Sequence, residues 1–137
     1  RGLDLISRIS CDRLAGRCDA VGGPTAAAVP MLSGIGLASL ALECPFKTFF
    51  TRKEAKGHGM GHRIEGPPLR AGERVFIVDD TATSGGSLLQ SAEVVRQETE
   101  ATVVGALVIV DREEGAREKL AAAEIPLEAL FVRSDFL

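Results

Sequence analysis

The chain contains no tryptophan and no tyrosine, and six phenylalanines are its whole aromatic complement. That scarcity argues against a surface built to stack exposed nucleobases, which relies on aromatic faces. Cysteine is sparse too. Cys11, Cys18 and Cys44 are odd in number and lack metal-type spacing, so neither a disulfide framework nor a zinc site is expected. Cys11 and Cys18 could share one helix face as small buried residues, free in a reducing compartment. No apolar run is long enough to span a bilayer, and no signal-type apolar core follows Arg1. A cytoplasmic protein without a membrane partner is the expectation. Positive charge is not in excess: 16 Lys and Arg stand against 19 Asp and Glu, a net charge of −3. A nucleic-acid partner would leave a basic footprint, so none is expected.

What is present fits one globular domain over residues 1–137. The composition is 45% hydrophobic and 26% charged, ordinary for a chain that folds around its own core. Helical spacing runs from Gly2 to Leu14. A short strand covers Asp19 to Gly22. Pro24 opens a small-residue helix through Ala28, Leu32 and Ile35, and Pro30 marks either its limit or a kink. Strands are expected over Lys47 to Phe50, Arg74 to Asp79, Val103 to Val110 and Leu127 to Val132. Helices are expected over Gly85 to Gln97 and Glu113 to Ala123. Strands alternating with helices imply a parallel sheet covered on both faces. Ligands of such sheets sit beyond the carboxyl ends of the strands. The stretch from Arg52 to Arg74 is long for a connection and rich in glycine, as lids and binding loops are.

One segment carries more chemistry than any other. Four apolar residues, Val75 to Val78, are followed by Asp79 and Asp80, then by Thr81, Ala82, Thr83, Ser84, Gly85, Gly86 and Ser87, and then by a helical pattern. A small-residue loop entering a helix presents backbone N–H groups to a phosphate, and paired carboxylates accept hydrogen bonds from sugar hydroxyls. A plain strand end with a helix cap is the bland alternative. Neither the P-loop nor the dinucleotide fingerprint is present.

This string resembles the phosphoribosyl pyrophosphate-binding motif of the type I phosphoribosyltransferases. Arg52-Lys53-Glu54-Ala55-Lys56-Gly57-His58-Gly59 resembles the mobile catalytic loop of the orotate phosphoribosyltransferases within that group. Val110 to Gly115 resembles the Asp-Arg-x-Glu-Gly turn that meets the base in the same enzymes. The resemblance implies a mostly parallel twisted sheet with helices on both faces and a long flexible catalytic loop. It also implies transfer of ribose 5-phosphate from phosphoribosyl pyrophosphate to orotate, giving orotidine 5′-monophosphate and pyrophosphate.

The roles implied are specific. Thr83 to Ser87 would hold the 5′-phosphate, with Asp79 and Asp80 on the ribose and Thr81 and Ala82 also in the phosphoribosyl pyrophosphate site. Arg52, Lys53, Lys56 and His58 would meet the pyrophosphate, Lys56 and His58 as the catalytic pair. Ala26 and Ala27 fall in the pyrophosphate turn, where many relatives carry a lysine at the place of Ala27. Thr83 and Arg112 would face orotate, although a salt bridge to Glu113, Glu114 or Asp111 would also account for Arg112. No metal is expected to be held by the protein alone: magnesium would arrive on the substrate, near Asp79 and Asp80. A homodimer is implied in which loop 52–66 reaches the neighbouring subunit. Relatives have a hood over the base built by residues that precede the position of Arg1, so an N-terminal hood that is missing or truncated is expected. A transferase for another base, or a non-catalytic regulatory module that binds phosphoribosyl pyrophosphate, stays open.

Overall fold

The computed structural model describes residues 1–55, 57 and 61–137. Among the described residues six strands form one sheet: β1 (Ala20–Pro24), β2 (Lys47–Thr51), β3 (Ile64–Glu65), β4 (Arg74–Ala82), β5 (Thr102–Asp111) and β6 (Leu127–Val132). Their spatial order is β3-β2-β1-β4-β5-β6. All pairings are parallel except β2 with β3. The helices that cover the sheet among these residues are α1 (Gly2–Leu14), α2 (Ala28–Ala41), α3 (Gly86–Glu98) and α4 (Ala116–Ala122). Among the described residues no helix is long and apolar enough to cross a membrane.

The central strand β4 shows why the sheet needs two covers. Val75 and Ile77 join a core with Leu88, Ala92, Val95 and Leu120 from α3 and α4. Phe76 and Val78 join a second core with Cys11, Leu14, Met31, Leu32 and Ile35 from α1 and α2. Successive residues of a strand point to opposite faces, and a parallel strand buried on both sides has no polar alternation. Each fully buried aliphatic side chain contributes about 1.5–3 kcal/mol. Helices α1 and α2 approach closely at Gly34, where an added Cβ would lie 2.2 Å from the Ser7 hydroxyl. That hydroxyl is turned back onto the Leu3 carbonyl at 2.6 Å, inside its own helix.

Several boundaries differ from the sequence reading. Strand β4 continues through both acids to Ala82, because β5 pairs with it as far as Ala82 opposite Asp111. Pro24 ends β1 rather than starting a helix. Pro30 lies in the first turn of α2, where its missing N–H removes no helical bond, and the helix runs on to Ala41. Helix α4 starts at Ala116, not Glu113, since Glu113 and Gly115 have φ of +59° and +97°. Two short elements were not anticipated, β3 and the 3-10 turn Arg133–Phe136. Cys18 lies beyond the end of α1, so it does not share a helix with Cys11. Both thiols are buried. Burial pushes Cys11 up to about 11 and Cys18 up to about 12, which leaves them as unreactive thiols.

The chain order creates a switch point. After β1 it moves outward to β2 and β3, then returns to the other side of β1 as β4. Loops leaving β1 and β4 therefore part in opposite directions and leave a crevice between them.

Leu107 is fully buried in β5. Leu107→Ala should lower the unfolding free energy by about 2–5 kcal/mol, read from the midpoint of urea denaturation at unchanged slope.

Candidate functional site

At the carboxyl end of β4 the apolar strand meets its two acids. Asp79 is 6% exposed, whereas Asp80, one residue on, is exposed. Strand alternation separates the two, so a pair adjacent in sequence is split between interior and rim. Each accepts the backbone N–H of the residue that follows it, Asp80 N–H onto Asp79 Oδ1 at 2.9 Å and Thr81 N–H onto Asp80 Oδ1 at 2.7 Å. Burial pushes the Asp79 carboxyl up to about 6, the Asp80 N–H pulls against that shift, and the Asp80 charge adds to it.

After Ala82 the chain turns through Thr83, Ser84 and Gly85 into α3. Gly85 has φ of +85° and precedes the helix directly. An added Cβ there would also lie 3.1 Å from Ala116 of α4, so only glycine suits both the turn and the packing. The Leu89 N–H donates to the Gly85 carbonyl at 3.0 Å. The N–H groups of Gly86, Ser87 and Leu88 thus have no partner within the helix. Among the described residues no side chain caps this end. Uncapped amides and the positive end of the helix dipole face an open cavity of about 570 Å³.

The cavity brings together Asp79, Thr81, Ala82, Thr83, Ser84, Gly85, Gly86 and Ser87, with Lys53 on its wall. Leu88, Gln90 and Glu93 of α3 also line it and were missed by the sequence reading. Ser87, Gln90 and Glu93 recur at i, i+3, i+6, the spacing that puts residues on one helical face, and that spacing was the available signal.

Other expected residues lie outside the cavity lining. Asp80 is exposed and not among the lining residues. Ala26 and Ala27 are exposed on the turn after β1, whose Thr25 N–H donates to the Thr51 carbonyl at 3.3 Å. Arg52 is paired with Glu65 at 3.0 Å. Arg112 is paired with Glu114 at 2.9 Å, one of the alternatives its sequence left open. Its backbone N–H nonetheless donates to the Ala82 carbonyl at 2.9 Å, which ties its turn to the start of the loop. Lys56 and His58 lie outside the described residues.

The two legs of the 52–66 segment are held close. Arg52 N–H donates to the Arg63 carbonyl at 2.8 Å. Thr51 and Ser91 share a buried hydroxyl contact of 2.6 Å. Glu98, at the far end of α3, accepts the Arg63 N–H at 3.1 Å and its Nε at 3.3 Å. Both anchors sit on the helix whose first turn opens the cavity.

The Asp79 shift has a thermodynamic consequence. Its folded value lies above the ordinary 3.8, so the folded state binds the proton more tightly than the unfolded chain. The group's contribution to stability therefore falls as pH rises from about 4 to 6 and is constant above. Asp19, Glu73 and Glu128 are held low by hydrogen bonds from the Arg74 amide, the Arg70 amide and the Arg17 guanidinium. Their stabilisation is lost as pH falls. That loss is common to a variant and its parent. Asp79→Asn should therefore be more stable than the parent at pH 7, by at most about 3 kcal/mol, with the gap closing towards pH 4. A gap that stays constant over that range in denaturant titrations would contradict the burial argument.

Known proteins are similar to this chain in sequence and fold. The sequence profile of the phosphoribosyl transferase domain matches residues 4–127. The orotate phosphoribosyltransferase of Aquifex aeolicus is 44% identical over 119 residues, which cover 87% of this chain and 64% of that protein. The enzyme of the same name from Bradyrhizobium diazoefficiens is 39% identical over 140 residues, covering 99% of this chain and 74% of its own length. The chain thus spans about two thirds to three quarters of these relatives. Among solved structures, Mycobacterium tuberculosis orotate phosphoribosyltransferase in complex with 5-phospho-alpha-D-ribosyl 1-diphosphate superposes with a TM-score of 0.84 at 32% identity, covering 98% of this chain and 75% of that one. With the glycine-entered helix, the buried acid and the switch-point crevice in place, these likenesses carry one conclusion: the chain belongs to the phosphoribosyl transferase domain family, among the orotate phosphoribosyltransferases.

Proposed function

We propose that this chain, as a single domain, catalyses transfer of ribose 5-phosphate from phosphoribosyl pyrophosphate to orotate, in the cytoplasm. The observation that carries the reading is the cavity at the carboxyl end of β4, with the first-turn amides of α3 on one wall and the buried Asp79 carboxylate on another. The 5′-phosphate is taken by the Thr83–Ser87 loop. Helix-end charge contributes about 0.3–1 kcal/mol there, up to ~2 when partly buried, and amide bonds to an ionised oxygen exceed neutral ones.

Asp79 and Asp80 receive the ribose hydroxyls. Donation from those hydroxyls favours the ionised carboxylate, so donor binding draws the Asp79 proton off. The anomeric carbon gains positive charge as the bond to pyrophosphate breaks, as in glycoside chemistry, and a carboxylate nearby stabilises it. Neither acid is a nucleophile in this scheme: the base attacks directly and the configuration inverts.

Pyrophosphate leaves as an anion, so cations around it lower the barrier. Lys53 lines the cavity and, with Lys56 and His58, fills this role. Arg52 must exchange its Glu65 partner for the diphosphate to take part. Ala27 offers no side-chain cation, which leaves the turn at Ala26 and Ala27 with backbone N–H groups alone. Arg112 and Thr83 receive orotate, the guanidinium exchanging the Glu114 carboxylate for that of the base.

Among the described residues no group of three or more metal-ligating side chains converges. Asp79 and Asp80 offer hard carboxylate oxygens, which suit magnesium that keeps most of its ligands from water and substrate phosphates. When bound, the ion neutralises the diphosphate. A homodimer in which the 52–66 segment reaches the partner's cavity completes the proposal, since a lid that excludes water protects the donor from hydrolysis.

Orotate consumption with stoichiometric pyrophosphate release, in the presence of magnesium and the sugar donor, tests the reading against adenine, hypoxanthine and uracil. Donor binding without turnover on any base would favour a sensor instead. Lys56→Ala should lower turnover more than about tenfold while leaving the melting temperature nearly unchanged.

A further inference from the structure

The end of β5 holds a carboxylate that the scheme above leaves unused. Asp111 is 1% exposed and lies outside the lining of the donor cavity. It borders a separate hollow of about 280 Å³ with Gly115, Ala116 and Arg117. Its Oδ1 accepts the Glu113 N–H at 2.9 Å. Its Oδ2 is 2.9 Å from Arg117 Nε but makes no aligned hydrogen bond. Arg117 in turn donates through Nη1 to the Leu127 carbonyl of β6 at 2.8 Å. A buried charge is costly unless a partner compensates it, and an asparagine would close the same small turn without charge. The carboxylate therefore does more than shape one turn: it braces the connection between β5 and α4 against β6.

That connection is where Arg112 sits. Its backbone N–H reaches the Ala82 carbonyl at 2.9 Å, one residue from Thr83. Glu113 holds a φ of +59°, a conformation that a non-glycine residue adopts only when its surroundings enforce it. On the solvent side the Glu113 carboxylate accepts the Ser134 N–H at 2.9 Å and the Ser134 hydroxyl at 3.2 Å. The brace on the buried side is Asp111 with Arg117; the one on the exposed side is Glu113 with Ser134. A long guanidinium aims at a small target only if its own backbone is held to a fraction of an ångström, and the buried brace supplies that.

We infer that Asp111 is a positioning residue for the acceptor base, setting the turn from which Arg112 reaches the mouth of the cavity beside Thr83. The inference rests on the reading of Arg112 as an acceptor contact. Asp111 touches neither substrate and acts through Arg112.

Steady-state kinetics with both substrates, on the full chain with magnesium, test it. Asp111→Ala should raise the KM for orotate about tenfold, the scale on which a small misplacement of a binding group acts, while the KM for phosphoribosyl pyrophosphate moves by less than about twofold. Asp111→Asn, which keeps an acceptor for the Glu113 amide, should raise the orotate KM by an intermediate amount, and it decides the matter if the alanine variant fails to fold. In combination with Arg112→Ala, Asp111→Asn should add nothing further, because coupled residues are not additive. If Arg112→Ala alone leaves the orotate KM unchanged, or the unaltered protein does not turn over orotate, the acceptor reading falls and this role with it. If Arg112→Ala raises that KM but neither Asp111 variant does, or if the two effects multiply independently, the positioning role alone is wrong. Equal rises in both KM values would mark Asp111 as a general structural residue.

Discussion

The ladder between β4 and β5 runs beyond the hydrophobic layer, and the site hangs on that overrun. Thr81 pairs with Val110 and Ala82 with Asp111, and the Arg112 amide carries the pattern one bond further to the Ala82 carbonyl. Parallel strands end side by side only if their registers agree, so a single register joins the donor loop after β4 to the turn after β5. Two segments some thirty residues apart thereby become neighbours. A slip of one residue would turn Asp79 outward and Asp80 inward, since strand faces alternate.

The same overrun carries a charge into the interior. Asp79 follows four buried apolar residues and shares their environment, which is why its carboxyl titrates near 6 rather than 3.8. Opposite it stand the unpaired amides of α3, whose dipole favours anions. An acid reluctant to ionise and a helix end short of acceptors are both destabilising by themselves. Both are relieved by a ligand that brings hydroxyls to one and a phosphate to the other. Strain of this kind is concentrated where a fold has to bind something.

Helix α3 links the cavity to the loop beside it. Its first turn offers the amides, Ser91 in its middle meets Thr51, and Glu98 at its end holds Arg63. The legs of the cationic segment are thus fastened to the element that faces the phosphate. The pairing of Arg52 with Glu65 and of Arg112 with Glu114 keeps two guanidinium groups at the rim compensated. Such exposed pairs are worth little in stability, about 0–1 kcal/mol, and an anionic ligand can displace the carboxylates at small cost.

Local chemistry was legible in the chain. Helical spacing in Gly2 to Leu14, the apolar run before Asp79 and the Gly85-Gly86 turn act over a few residues, so periodicity and turn preference locate them, and the motifs on them pointed to a sugar phosphate. Element ends were less legible. The extension of β4 through Asp80 to Ala82 depends on β5, and the late start of α4 on the positive φ of Glu113 and Gly115. What the sequence determined by itself is the succession of strands and helices and the loop that enters α3. Only the tertiary structure decided that β1 and β4 open side by side, that Asp79 lies inside while Asp80 does not, that Gln90 and Glu93 join the cavity wall, and that Arg112 is hooked to Ala82. Each of these follows from pairing or burial between segments far apart in the chain, and no short-range preference encodes which distant partner a residue will meet.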